Sequence, residues 1–196
     1  MGSAPSGPIA FLNVGAFPRR PSFADLNGDG NLDVAVPCSQ LSGWQILLGD
    51  GLGGLALNGN YGAGDVPAGI AFADLNGDGQ LDAAGFNGGF AMSFPSSISV
   101  RLGNGLGALG ALTNYPDGIA ANSLAIADFN ADGLADAATA HGTAGLSAVH
   151  AVNLLLGNGA GASARRRPSA ASSARTRSRP WTSTRTSFPT WRSPRR

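Results

Sequence analysis

The 196-residue chain contains neither glutamate nor lysine: its 12 acidic residues are all Asp and its 13 basic residues are all Arg. Nine of the 12 Asp fall within three short segments, a concentration that excludes charge spread evenly for solubility. A single cysteine, Cys38, excludes an internal disulfide. Lying just after Val34 and Val36, it is expected to be a small buried residue rather than a reactive thiol. No apolar run is long enough to cross a bilayer. The opening residues, Met1 to Pro8, have neither the charged nor the apolar region of a secretory leader. The chain is therefore expected either to stay inside the cell or to begin downstream of its parent's true start. No helical period survives anywhere, which excludes an amphipathic-helix architecture.

What the sequence does contain is one acidic loop in three copies. They run from Asp25 to Asp33, from Asp74 to Asp82 and from Asp128 to Asp136. Each places oxygen side chains at positions 1, 3, 5 and 9 and glycine at position 6: Asp25, Asn27, Asp29 and Asp33 with Gly30; Asp74, Asn76, Asp78 and Asp82 with Gly79; Asp128, Asn130, Asp132 and Asp136 with Gly133. That is the ligand spacing of a calcium loop, with the backbone carbonyl of position 7 (Asn31, Gln80, Leu134) as a further donor. Three carboxylates held close together repel, and a divalent cation such as Ca2+ removes that cost. An EF-hand is excluded, because its bidentate Glu would fall at Val36, Gly85 or Thr139. The ninth-position Asp is expected to take that role. The third copy departs from the first two, with Ala131 in place of Gly28 and Gly77, and Ala135 in place of Leu32 and Leu81.

The loops are set in a longer repeat. Their spacing is 49 residues and then 54, and each is followed by a glycine motif beginning at Leu48, Leu102 or Leu156. Short apolar runs precede each loop (Ile70–Ala73, Leu124–Ala127) and follow it (Leu32–Val36), and alternation is clear at Ile98, Val100, Leu102 and at Val152, Leu154, Leu156. These are strand signals, and Gly-Asp-Gly and Gly-Asn-Gly provide the positive backbone angles of tight hairpins. Each unit reads as about four antiparallel strands, with the acidic loop joining the first two. The expected fold is all-β: tandem four-stranded antiparallel blades of an incomplete β-propeller.

In these motifs, Ala24 to Ala35 and its two relatives with the Leu-Gly-Asn-Gly-x-Gly turns, residues 9–162 resemble the FG-GAP or VCBS repeats of integrin alpha-subunit propellers and bacterial surface proteins. The resemblance implies calcium bound within each blade and a propeller that binds proteins or glycans. A non-catalytic adhesion or binding module is expected, secreted or surface-displayed in its parent. The alternatives are a fragment of a carbohydrate-acting enzyme built on the same repeats and, less favoured, nucleic-acid binding through an arginine-rich end. Three blades leave open edges, so the chain is expected to be part of a longer product or to self-associate.

The charge is split. Residues 1–164 hold three Arg against 12 Asp, −9, and residues 165–196 hold ten Arg and no acid, +10. Residues 163–196 are rich in Arg, Ser and Pro and are expected to be a disordered tail or a fourth blade read out of frame. The second reading rests on Thr182, Thr184, Thr186 and Thr190, which repeat the 1-3-5-9 spacing 54 residues after Asp128. Elsewhere, His141 and His150 have no acidic partner nearby in sequence, and Asp50, Asp65 and Asp117 form no evident acid/base pair. Trp44, Tyr61 and Tyr115 are expected to pack between blades rather than to line a sugar site.

Overall fold

A computed structural model of the chain describes residues 12–88, 96–117, 121–142, 150–161 and 165–168. Twelve strands fall into three four-stranded antiparallel sheets. The first holds β1 (Ser22–Ala24), β2 (Asp33–Cys38), β3 (Gly43–Gly49) and β4 (Leu55–Gly62), in that spatial order. The second holds β5 (Pro67–Ala73), β6 (Asp82–Asn87), β7 (Ser97–Arg101) and β8 (Thr113–Pro116); the third holds β9 (Ala121–Ala127), β10 (Asp136–Gly142), β11 (His150–Leu156) and β12 (Arg165–Pro168). Each is a simple meander, and each acidic loop joins the first strand of its sheet to the second. Among the described residues the expected blade pattern is therefore present three times, in a propeller-like series with no closed barrel.

The third sheet takes its outer strand from the arginine-rich end of the chain. Arg165–Pro168 pair with Asn153–Leu156 of β11, so residues assigned to a disordered end supply a strand. The physical reason is that ladder hydrogen bonds are made by the backbone, and an unpaired strand edge accepts a neighbour that composition alone disqualifies. The spacing that suggested an out-of-frame blade, Thr182 to Thr190, lies outside the described residues.

The core lies between the sheets. Trp44, Ile46 and Ala35 of the first sheet, with Leu26 of its loop, meet Ile70 and Ala83 of the second. Leu75, Ala84, Ile98 and Val100 of the second sheet are covered by Leu124, Ile126, Ala135 and Leu155 of the third. Trp44 is fully buried, and Tyr61 and Tyr115 pack against the first and second clusters respectively, as expected for residues between blades. Cys38 is also fully buried, and burial pushes its thiol pKa up.

The glycine motifs do two different jobs. Gly51 and Gly53 take the expected positive φ, +69° and +96°. Gly49 does not; a Cβ there would collide with the carbonyl oxygen of Leu32, as at Gly103 with Leu81 and at Gly157 with Ala135. In every copy the first glycine lets the third strand approach the end of the acidic loop, backbone to backbone.

Candidate metal centre

The three acidic loops close on a shared set of hydrogen bonds. In the first, Asp25 Oδ1 accepts from the N–H groups of Gly28 (2.7 Å) and Asp29 (3.1 Å), and Oδ2 accepts from Gly30 (2.8 Å). Asn27 Oδ1 accepts from Asp29 N at 3.0 Å, while its amide donates to Asp29 Oδ2 at 2.9 Å. The second loop repeats this pattern through Asp74, Asn76 and Asp78. The third shares four of these five bonds, through Asp128, Asn130 and Asp132. Positions 1, 3 and 5 are therefore gathered on one exposed turn, by side chains capping the N–H groups two to five residues ahead.

These N–H groups act on charge. The N–H of Asn31 and the amide of Asn27 hold Asp29 below the usual carboxylate range. The N–H of Gly79 does most to lower Asp74, and that of Gly133 does most to lower Asp128. Hydrogen bonds to the anion favour the anion, so these three carboxylates are kept ionised.

The ninth position sits differently. Asp33, Asp82 and Asp136 are 0%, 0% and 1% exposed. Asp33 Oδ2 accepts from Leu26 N at 2.8 Å, and Oδ1 accepts from Gly49 N at 2.9 Å. Asp82 does the same with Leu75 and Gly103, and Asp136 with Phe129 and Gly157. Each is a clasp, tying the start of its loop to the glycine of the third strand. Burial pushes the Asp82 carboxyl up; the N–H groups of Gly103 and Leu75 offset this, and the charges of Asp78 and Asp74 add to it.

The seventh residue folds toward the glycine motif. The side chains of Asn31 and Gln80 lie where a Cβ on Gly51 or Gly105 would be, and Leu134 would be in tight contact, 3.2 Å, with one on Gly159. Among the described residues no three His, Cys, Asp or Glu side chains converge as a ready metal cluster. The donor set still suits a hard cation. Positions 1, 3 and 5 offer clustered oxygens, and each ninth-position oxygen has a lone pair left after accepting one N–H.

The third loop carries a local strain that the sequence hints at. Ala131 takes φ +60°, where its counterparts Gly28 and Gly77 take +75° and +80°. A side chain in the left-handed region costs about 1–2 kcal/mol, partly offset by glycine's greater freedom in the unfolded chain. Ala131→Gly is therefore expected to stabilise the chain by roughly 0.5–1 kcal/mol, read as a raised urea midpoint with an unchanged slope.

At the opposite end of the strands lies a polar group that sequence spacing did not reveal. His141 Nε2 is 3.2 Å from Asp117 Oδ2 and 2.9 Å from Thr139 Oγ1, with His141 and Asp117 both buried. The Asn153 amide donates to the Asp117 backbone carbonyl and to Oδ1, both at 2.9 Å. His141 and Asp117 are thus partners, 24 residues apart, a pairing that proximity in sequence does not reveal. Strand register makes the pair: Thr139 faces Asn153 across β10 and β11, and Asn153 reaches the linker entering its own sheet. Ser99 reaches the linker at Ala63 O (2.6 Å), and Gln45 accepts from Gly15 N in the same way. The set is enclosed and joins linkers to blades, a structural use of polar residues.

Comparison with known proteins agrees with this architecture. No curated protein matches the chain. Residues 25–84 match the family model of the FG-GAP-like repeat, a span that takes in the first two acidic loops, the glycine motif between them and strands β2 to β5. Residues 25–84 thus carry an FG-GAP-like repeat, and the third loop and sheet repeat the arrangement seen in that segment.

Proposed function

We propose that this chain is a calcium-stabilised, non-catalytic repeat module that presents its blade surfaces to a protein or glycan ligand outside the cell. The observation that carries the calcium reading is the loop geometry, built three times with clustered Asp and Asn oxygens. In the second copy, the buried Asp82 is further burdened by Asp74 and Asp78. Asp25, Asn27 and Asp29 would hold the ion in the first loop, with the Asn31 carbonyl and the free lone pairs of Asp33. The equivalent sets are Asp74, Asn76, Asp78, Gln80 and Asp82, and Asp128, Asn130, Asp132, Leu134 and Asp136. Bound calcium would offset most of the negative charge of each loop and stiffen its blade. A binding role is supported by the enclosure of the Asp117–His141 pair, which keeps those two groups from meeting a substrate.

Calcium titration followed by thermal unfolding tests the proposal. At free calcium about tenfold above Kd, each occupied site adds roughly 1.4 kcal/mol. For a chain of this size that raises Tm by about 3–6 °C per site. A chelator is expected to reverse the shift. If millimolar calcium and chelator both leave Tm unchanged, the loops are metal-free turns.

A further inference from the structure

Given the calcium reading above, on which this rests, we infer that the first and second acidic loops bind calcium cooperatively. They are coupled through the glycine turn of the second sheet, which is bonded to both. That turn runs from Gly103 to Leu109, which pair as an isolated bridge across its base. Inside it, Asn104 N donates to the Ala108 carbonyl at 3.1 Å, and Asn104 Oδ1 accepts from Leu106 N (2.9 Å) and Ala108 N (3.1 Å). Gly110 N donates to the Leu102 carbonyl at 2.7 Å just outside. So closed, the turn shifts as a unit and carries a displacement from one end to the other.

One end of the turn is held by the second loop. Gly103 N donates at 2.8 Å to Oδ1 of Asp82, the ninth residue of that loop, and the Gln80 side chain fills the space beside Gly105. The other end is held by the first loop. Gly107 N donates to the Leu26 carbonyl at 3.0 Å, and the Gly107 carbonyl accepts from Asn58 Nδ2 of β4 at 2.8 Å. Leu26 directly follows Asp25, the first residue of its loop, and its N–H is held by Asp33, the ninth, at 2.8 Å. Backbone groups of one turn thus adjoin the ligand sets of both loops. Ordering of either loop around its ion fixes one end of the turn, so less chain is left to order when the other loop fills. Charge alone acts with the opposite sign, since two bound cations repel. The seating recurs one blade on, where Gly161 lies against Leu102 as Gly107 lies against Leu48.

Titration of the full chain with calcium tests the coupling, read by NMR at the N–H groups of Gly30 and Gly79, each bonded to the first Asp of its loop. The two loops carry the same residues at positions 1, 3, 5 and 9, so equal intrinsic affinities are expected. For two equal sites a coupling of about fivefold gives a Hill coefficient of about 1.4. The Gly30 curve is expected at or above that value, and calcium should slow hydrogen exchange at Gly107 N about fivefold or more. Asn58→Ala removes the brace on Gly107, and Gly107→Ala strains the turn at φ +84° and drives a Cβ toward Leu48. Neither variant changes a charge or a ligand. In both, the Gly30 curve should flatten toward a coefficient of about 1 and weaken about twofold or more. Circular dichroism checks folding, and the exposed Asn58 position decides the matter if Gly107→Ala does not fold. If both glycines titrate as independent single sites in the wild type, or if the Gly30 coefficient is unchanged in the folded variants, the coupling is overturned and the calcium reading stands. If neither glycine responds to millimolar calcium, the calcium reading fails and the coupling fails with it.

Discussion

Asp33→Ala is expected to destabilise the chain by about 3–5 kcal/mol, from the loss of two buried hydrogen bonds to a charged group. Asp33 is fully buried, with one oxygen on the N–H of Leu26 and the other on the N–H of Gly49. Alanine leaves both donors without an acceptor, and each orphaned N–H costs about 1–3 kcal/mol. Against the roughly 5–15 kcal/mol that hold an ordinary domain together, that is a large fraction. Asp33→Asn is the sharper variant, since it keeps the shape and one acceptor while turning an amide NH2 toward an N–H donor. Urea unfolding in chelator isolates the clasp from any metal effect. A loss near full size without metal supports the clasp. A loss below about 1 kcal/mol in chelator, with the calcium response abolished, would make Asp33 a ligand and nothing more.

Trp44→Ala is expected to cost about 3–5 kcal/mol, the range for removing a buried indole without collapse of its surroundings. The side chain is fully buried between the first and second sheets, where Leu26, Ile46, Ile70 and Ala83 share its cluster. It lies over Gly85: a Cβ built there would stand 2.5 Å from Trp44 Cζ2 and 2.7 Å from the Gly69 carbonyl oxygen. Gly85→Ala should therefore also destabilise, and the two losses should fall short of additive in the double variant, because removing the indole relieves one of the two collisions. Urea unfolding of the single and double variants measures both terms. Strict additivity would show that the contact with the Gly69 backbone alone makes Gly85 necessary.

Much of the architecture was legible in the chain. The loop pattern predicted which residues would share a turn, and Asp25, Asn27 and Asp29 do share one, through bonds to N–H groups two to five residues ahead. The glycine motifs and alternating apolar residues predicted hairpins and strands, and the repeat spacing predicted three similar units. The ninth-position aspartates were legible as carboxylates in the right place, but not as buried clasps. The second use depends on Gly49, Gly103 and Gly157, which come 16, 21 and 21 residues later in the chain. The pairing of Asp117 with His141 was hidden for the same reason, as was the strand at Arg165–Pro168, where backbone pairing overrode a composition that argues for disorder.

By itself, then, the order of residues determined what forms within one turn of chain: loops, hairpins, alternation and the repeat. Hydrogen bonds that reach a few residues depend only on which residues are neighbours. Tertiary structure decided which carboxylates are buried, which polar residues meet, and which blade faces are covered. Those outcomes require strands to settle into one register, and register comes from packing between sheets, where Trp44 finds room only because residue 85 is glycine and Phe129 stays open because no fourth sheet lies over it among the described residues.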